Sequence, residues 1–465
     1  MTDHTAALNT SAPAAAAPSA APPAVPLAPK REIFGWAMYD FANQAYTLLI
    51  ITVIFGDLFT RVIVGDAPDY RLGNLLWSLC IALSCLAVAL VNPVCGAIMD
   101  YTATRKRFLF VTYVLTVTGT ALLYFVEPGW IAFAMLLIIV TNFAFALGEG
   151  FIASFLTDLG PRESLGWISG LGWGLGYIGG LVATAFSVAW LGEVSLENYD
   201  TVRWVGPFTA AFVLLGCLPT FFWLRERGRA RVLPAGESVL HLGFRRLRET
   251  WSEMQQFRDL RRLLLSIFFS MAGIAIIVSF AFIYGAQVIG WDDDVRALMF
   301  VIVQFNAAVG AIGFGVLQSR IGSRLTYLLS QGLWVVAILA IWLTPEVAAL
   351  GREHLGTDWQ AQHVFLVAGC LAGLSLGSAQ SAGRALVGLL TPAGKSAEFF
   401  GLWGTAAKLA AVFGMIGLGL LQLFFGLADA ILFCLALFAI SMLIVAGVDE
   451  RRGMAAADAW QARGD

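Results

Sequence analysis

The chain predicts an all-α integral membrane protein with twelve transmembrane helices in two six-helix pseudo-symmetric halves. Composition is the first reason. Hydrophobic residues make up 59% of the 465 positions and charged residues 13%, whereas a soluble domain carries about 25% charged residues. The second is length: the apolar residues gather into runs of the roughly 20 residues that a bilayer crossing needs, and the chain has room for twelve. The third is charge. Of 29 Lys and Arg, 22 lie between runs on one side and five on the other, the asymmetry that orients membrane proteins.

Residues 1–29 are rich in Ala and Pro. They lack the basic start and the uninterrupted apolar core of a signal peptide, so residues 1–30 are expected to be a disordered cytoplasmic tail. Spans are expected at 36–64, 72–99, 107–126, 130–156, 165–191 and 204–224, an N-terminal bundle over 31–224. An Arg-rich cytoplasmic linker follows at 225–261. Within it Leu240, Phe244, Leu247, Trp251 and Met254 recur at helical spacing, with Arg245, Arg246 and Arg248 between them. That pattern predicts an amphipathic helix lying on the inner leaflet or covering the cytoplasmic ends of the bundle; a plain linker helix with a greasy face reads equally well. The second bundle covers 262–447, with spans at 262–290, 294–318, 325–344, 362–390, 397–425 and 427–447, and a cytoplasmic tail at 448–465. An even number of spans puts both termini on one side. The basic loops make that side the cytoplasm, and Glu193, Glu197, Asp200 and Asp292 to Asp294 mark the other.

Other function classes find little support. The net charge of −2 and the scattered basic residues suit no nucleic acid. His4, His241, His354 and His363 form no constellation, and no catalytic motif or phosphate-cradling loop is present. The six cysteines (Cys80, Cys85, Cys95, Cys217, Cys370, Cys434) lie in apolar runs without CxxC or metal spacing, which reads as packing. Neither a metal nor a cofactor is expected. The partners expected are a small-molecule substrate, the lipid bilayer and a coupling proton.

A repeat marks the halves. Gly96, Asp100 and Arg105 share their spacing with Gly315, Ser319 and Arg324, each set opening a cytoplasmic turn after an even-numbered span. Six-helix parallel repeats about an axis normal to the membrane are the plan of major facilitator transporters, and the turn GAIMDYTATRKR (96–107) resembles that superfamily's loop between its second and third helices. Gly96 allows close helix approach, Asp100 can accept hydrogen bonds at a helix end, and Arg105, Lys106 and Arg107 hold the turn at the cytosol. Topology alone or a conformational latch would each account for it. Ser319 replaces the acid in the second copy.

Four further stretches narrow the resemblance: GWAMYDFANQAY (35–46), SLGWISGLGWGLGYIGG (164–180), QSAGRALVGLLTP (380–392) and AEFFGLWGTAAKLAAVFG (397–414). Together they resemble the autophagy-related vacuolar amino-acid effluxers of fungi and their bacterial relatives, a branch of the major facilitator superfamily. This implies the major facilitator fold, with the first, fourth and tenth helices lining a central cavity and the eleventh flanking it. Gly383 and Ala385 stand where the family has Ser beside the Arg. FIASFLTD (151–158) stands where it has a Tyr-Asn pair and a Pro, so the substrate is expected to differ from that of the fungal members. In the fifth span Gly166, Gly170 and Gly174 form one row and Gly172, Gly176 and Gly180 another, which predicts close helix approach, sliding or static. The stretch also resembles the glycine-rich antiporter motif, with Tyr177 in place of its Pro.

Charges inside the membrane cost about 2.5–3.5 kcal/mol at mid-bilayer and usually face a cavity or a partner. Asp40, Glu149, Arg384 and Lys408 lie in spans one, four, ten and eleven, with Asn43 and Gln380 beside them in the same motifs. Asp40 reads also as a solvated helix-end acid, Glu149 as a group packed between Gly148 and Gly150, and Arg384 as a structural partner of Glu398 across the short turn. Lys408 has no acid nearby in the chain. The acids fall in the first half and the bases in the second. The expectation is a cavity with one acidic and one basic wall, spanned by a zwitterion such as an amino acid, with Trp173, Tyr177 and Trp403 as apolar faces. Glu149 is the first candidate to carry a coupling proton and Asp40 the second. The competing readings are a proton-linked exporter of amphiphilic compounds and a non-transporting membrane receptor or scaffold.

Overall fold

A computed structural model describes residues 25–66, 70–228, 230–231, 238–355 and 359–464; of the tail expected at 1–30, residues 1–24 lie outside them. Among the described residues, eleven helices are long and apolar enough to cross a membrane, and a twelfth, Leu432–Ala446, is shorter at 15 residues. The first six spans are Lys30–Val64, Arg71–Thr102, Arg105–Phe125, Ile131–Asp158, Arg162–Leu191 and Tyr199–Trp223. The next five are Arg258–Ala281, Asp294–Ile321, Ser323–Trp342, Ala361–Leu390 and Ser396–Ala430. The eleventh breaks at Gly426, which has φ +75° and ψ 166°. Glycine tolerates this conformation because it has no Cβ. Residues 427–446 then form the twelfth crossing, ending with the helix Leu432–Ala446. Much of the helix surface is exposed Leu, Val, Ile and Phe, such as Leu90, Leu215, Leu423 and Leu443, as lipid-facing helices require.

Three helices lie outside the crossings. Thr344–Leu355 follows the ninth span, and Val239–Glu253 occupies the linker. The expected C-terminal tail is itself a helix, Glu450–Gly464, bent 64° from the twelfth span. The linker and both ends of the described chain share one face of the bundle, called here the linker face. The linker helix covers the bundle there: Gly243 fits against Val94 and Ile98 of the second span, and Arg246 stacks on Tyr101.

Spans one and seven hold equivalent places in the two halves, and both end in π-helical segments, Phe59–Val64 and Gly285–Ile289. A further π segment, Tyr46–Val53, lies mid-way along the first span. Such bulges often accompany functional sites, and Thr47, Leu48 and Thr52 in this segment line the central cavity.

The two glycine rows of the fifth span have different partners. A Cβ at Gly166, Gly170 or Gly174 would strike Gln318, the Ala311 carbonyl or Ile312 of the eighth span, in the other half. At Gly172 or Gly180 it would strike Trp36 and Asp40 or Leu48 of the first span. Gly96 likewise lies on the Ala397 carbonyl of the eleventh span. The halves therefore meet backbone to backbone along two seams near the linker face, between spans five and eight and between spans two and eleven.

Candidate functional site

The ionisable residues inside the membrane meet in pairs across the two halves. Arg384 lies about 9 Å inside the end of the tenth span, at 1.5 Å per residue. It reaches the first half through the gap left by Gly172, where a Cβ would lie 2.6 Å from Asp40 Oδ2, 2.7 Å from Arg384 Nη2 and 2.7 Å from the Trp36 ring. Its Nη1 donates to Asp40 Oδ2 at 2.7 Å, its Nε to Ser169 Oγ at 3.1 Å and its Nη2 to the Ser169 carbonyl at 2.9 Å. The guanidinium sits 4.7 Å from the Trp36 ring centroid and 5.1 Å from that of Trp173, cation–π contacts with a desolvated charge. Trp36 is fixed by its indole N–H, which donates to the Ile152 carbonyl at 2.8 Å. The alternative reading of Arg384 as a partner of Glu398 does not hold: Glu398 lies at the start of the eleventh span and accepts from the Thr250 hydroxyl of the linker helix.

Lys408 pairs with Glu149, its Nζ 3.4 Å from Oε2. The acidic and basic walls expected on opposite sides of a cavity are thus joined, because two facing charges at this depth neutralise one another at lower cost than either stands alone. The two pairs differ in access. The Arg384 and Asp40 side chains are 3% and 15% exposed, those of Lys408 and Glu149 25% and 36%.

A cavity of 240 Å³ extends from Glu149 toward the end opposite the linker face. Trp173, Trp291, Trp334, Phe300, Phe365 and Met299 supply much of its wall. Its polar lining is Gln44, Thr47, Thr52, Tyr177, Gln304, Gln380 and the indole N–H groups, and among the described residues Glu149 is the one charged side chain on it. The Tyr177 hydroxyl donates to Gln380 Oε1 at 3.3 Å. Beneath lies a 20 Å³ chamber touched by Asp40, Asn43, Gln44, Glu149, Trp173, Arg384 and Trp403, a space for about one water. Asp40, Asn43, Glu149, Arg384 and Gln380 therefore line two neighbouring spaces that share Gln44, Glu149 and Trp173, and Lys408 adjoins them through Glu149.

The five residues of the basic turn lie at the linker face. Asp100 Oδ2 accepts the Glu398 N–H at 2.9 Å, so an acid of the second span caps the eleventh, where helix N–H groups lack partners. Arg105 bonds Asp158, Glu226 at 3.1 Å and the Ser154 carbonyl at 3.0 Å. The Lys106 ammonium donates to the Leu224 carbonyl at 2.6 Å, and Arg107 is exposed. In the second copy Ser319 bonds its own Val316 carbonyl, while the Arg324 N–H donates to Glu450.

Other polar residues emerge only from the structure. Asn92, fully buried before Pro93, donates to the Gly401 carbonyl at 3.2 Å and fills room left by Gly150 and Gly404. Its one signal was an amide in an apolar run. Buried Glu32 is clamped by Arg227 at 2.6 and 2.7 Å, and buried Asp259 by Arg452 at 2.7 and 2.6 Å. The Glu32 hydrogen bonds raise the Arg227 pKa above its ordinary value. These staples occupy equivalent places: each ties the first span of a half to the segment after its last. Across the halves, Arg162 makes a two-pronged bond to Asp458 of the C-terminal helix at 3.0 and 2.6 Å, and Thr157 Oγ1 lies 2.7 Å from Ser396 Oγ.

Two six-helix halves, seams at one face and a central cavity between them define a transporter of the major facilitator superfamily. The chain belongs to the family described as vacuole effluxer Atg22 like, whose model matches residues 162–458. It is 25% identical over 429 residues to an uncharacterized MFS-type transporter, YxiO, of Bacillus subtilis, covering 89% of this chain and 94% of that one. It is also 24% identical over 312 residues to autophagy-related protein 22-1 of Penicillium rubens, covering 65% of this chain and 52% of the relative. The match thus spans about half the length of that fungal protein. Among solved structures, the fold resembles the transporter FucP in the outward conformation, with a TM-score of 0.67 at 14% identity over 90% of this chain and 98% of that one. It resembles a bacterial homologue of the iron transporter ferroportin in the outward-facing state, with a TM-score of 0.65 at 14% identity over the same shares. At this identity the likeness is one of fold.

Proposed function

We propose that the protein is a secondary active transporter that moves a small amino-acid-like solute through the central cavity by alternating access, with a proton as the coupling ion. The observation that carries this is the cavity lining: among the described residues a single carboxylate, Glu149, at the base of an aromatic and apolar chamber. Glu149 receives the solute's ammonium and the aromatic walls receive its side chain. A substrate with a bulky apolar side chain fits these walls better than a small polar one. Glu149 also carries the coupling proton, with Asp40 behind it. The Asp40–Arg384 pair and the Asp100 cap act as latches that part when the halves rock. The relatives support an effluxer-type transporter, and a neighbour in fold is a proton:xylose symporter. The 22-to-5 bias of basic residues supports both termini in the cytoplasm, so the cavity described here opens outward, and the Bacillus relative supports a bacterial cytoplasmic membrane.

The apolar walls also favour a second reading, a proton-linked exporter of amphiphilic cations. One experiment separates the two: counterflow of labelled tryptophan, leucine and tetraphenylphosphonium in proteoliposomes. The first reading expects exchange of an amino acid that Glu149→Gln abolishes along with its response to a proton gradient. Exchange of tetraphenylphosphonium alone favours the second, and no counterflow of any solute leaves a receptor or scaffold.

A further inference from the structure

We propose that Lys408 is a tethered stand-in for the substrate's cation. Its ammonium holds Glu149 in the empty protein, and the solute's own ammonium replaces it there on binding. The proposal rests on the cavity reading above and deepens it, because it fixes which charge a solute must carry.

Access comes first. Glu149 touches both the central cavity and the chamber beneath it, and its side chain is 36% exposed. Lys408 lines neither space. Glu149 thus shows one side to an arriving solute and another to Lys408.

The bond is also exchangeable. The 3.4 Å contact to Glu149 is the one hydrogen bond that Lys408 makes among the described residues. Arg384 differs in every respect: three bonds between 2.7 and 3.1 Å, an indole on two sides and 3% exposure. An ammonium is a point charge on a flexible stem and can withdraw, whereas a guanidinium held in a planar fork cannot do so without losing several bonds at once. A carboxylate at this depth needs some cation at all times. Lys408 supplies it when the cavity is empty, and a proton on Glu149 would release Lys408 in the same way.

The rest of the lining sets the substrate class. Beyond Glu149 the cavity's polar groups are neutral amides, hydroxyls and indole N–H groups, those of Trp173 and Trp334 unpartnered. Arg384 is spent on Asp40 and Ser169, and Lys408 stands behind Glu149. Among the described residues of the lining a solute carboxylate therefore meets no free cation. The ligand this geometry recognises is a primary ammonium on an apolar, preferably aromatic, body, and its carboxylate is dispensable. Lys408 is a specificity-determining competitor rather than a carboxylate receptor.

Three probes with one aromatic body separate the charges: tryptamine, L-tryptophan and indole-3-propionate. Their binding to the purified full-length protein is measured by calorimetry and thermal shift. Wild type should bind tryptamine at least as well as tryptophan, and indole-3-propionate not at all. Lys408→Met should tighten tryptamine about tenfold, and Glu149→Gln should abolish it. Lys408→Arg retains the pair and keeps the test alive if the Met variant does not fold; its forked donor should weaken tryptamine severalfold. Loss of tryptophan binding in Lys408→Met with tryptamine unchanged would make Lys408 a carboxylate receptor. That result overturns the proposal and leaves the cavity reading standing, as does an Arg variant with wild-type tryptamine affinity. Equal tryptamine binding by wild type and Glu149→Gln overturns both.

Discussion

Position 172 has only a hydrogen where any other side chain would enter an ion pair. A methyl there would lie within 2.7 Å of Asp40, Arg384 and Trp36 alike, and none of the three has slack. Gly172→Ala is expected to lower stability by about 1–3 kcal/mol, as overpacking does, and to stop counterflow while the protein still inserts. The thermal unfolding midpoint in detergent and solute exchange in proteoliposomes check the two parts. Gly180→Ala, which meets only Leu48 and Gln44 side chains, should leave more activity. What was legible here was the anomaly and not its resolution. Arg384 and Lys408 stand out in any hydropathy trace as charges within apolar runs. Their partners are 344 and 259 residues away, a distance at which local spacing carries no information. Sequence reasoning therefore set acids and bases on opposite walls, whereas the cost of unpaired charge in a low dielectric drew them together.

At the scale of helices, one acid of the second span caps the start of the eleventh. Asp100→Ala removes the acceptor of the Glu398 N–H, and loss of a cap costs about 0.5–2 kcal/mol. Since this bond crosses the seam, the cost falls on the state closed at the linker face. Labelling of a cysteine placed at Ser396 by a membrane-impermeant maleimide should rise about fivefold for a 1 kcal/mol shift; unchanged labelling would detach the cap from gating. The spans themselves were readable because apolar length is a property of composition, and the fifth was expected at 165–191, where the helix Leu165–Leu191 forms. The surface helices Thr344–Leu355 and Glu450–Gly464 were not expected: too polar to cross a bilayer, they left no mark in a search for crossings. The staples Glu32–Arg227 and Asp259–Arg452 were overlooked because acids at helix ends ordinarily face water. A signal was available, as the two pairs are separated by 195 and 193 residues, which extends the repeat seen in the turns.

In the proposed alternating-access cycle the whole molecule comes apart at one face. Thr157 and Ser396 belong to opposite halves, with hydroxyl oxygens 2.7 Å apart, close to the reach of a disulfide. In the double variant Thr157→Cys/Ser396→Cys, mild oxidation should cross-link the chain and halt counterflow, and dithiothreitol should restore it. The single variants control for the six free cysteines already present. If exchange persisted after complete cross-linking, these residues would not part during the cycle. The twin staples carry a different consequence. Each fastens the first span of its own half to the segment that follows the last, so closure of either bundle makes no use of the other. A chain severed between Arg231 and Ser238 should therefore give two fragments that each insert and fold as a separate unit, then find each other through the glycine seams. Counterflow recovered on co-expression, and absent from either fragment alone, would identify the half as the inherited building block and the linker as a tether of convenience.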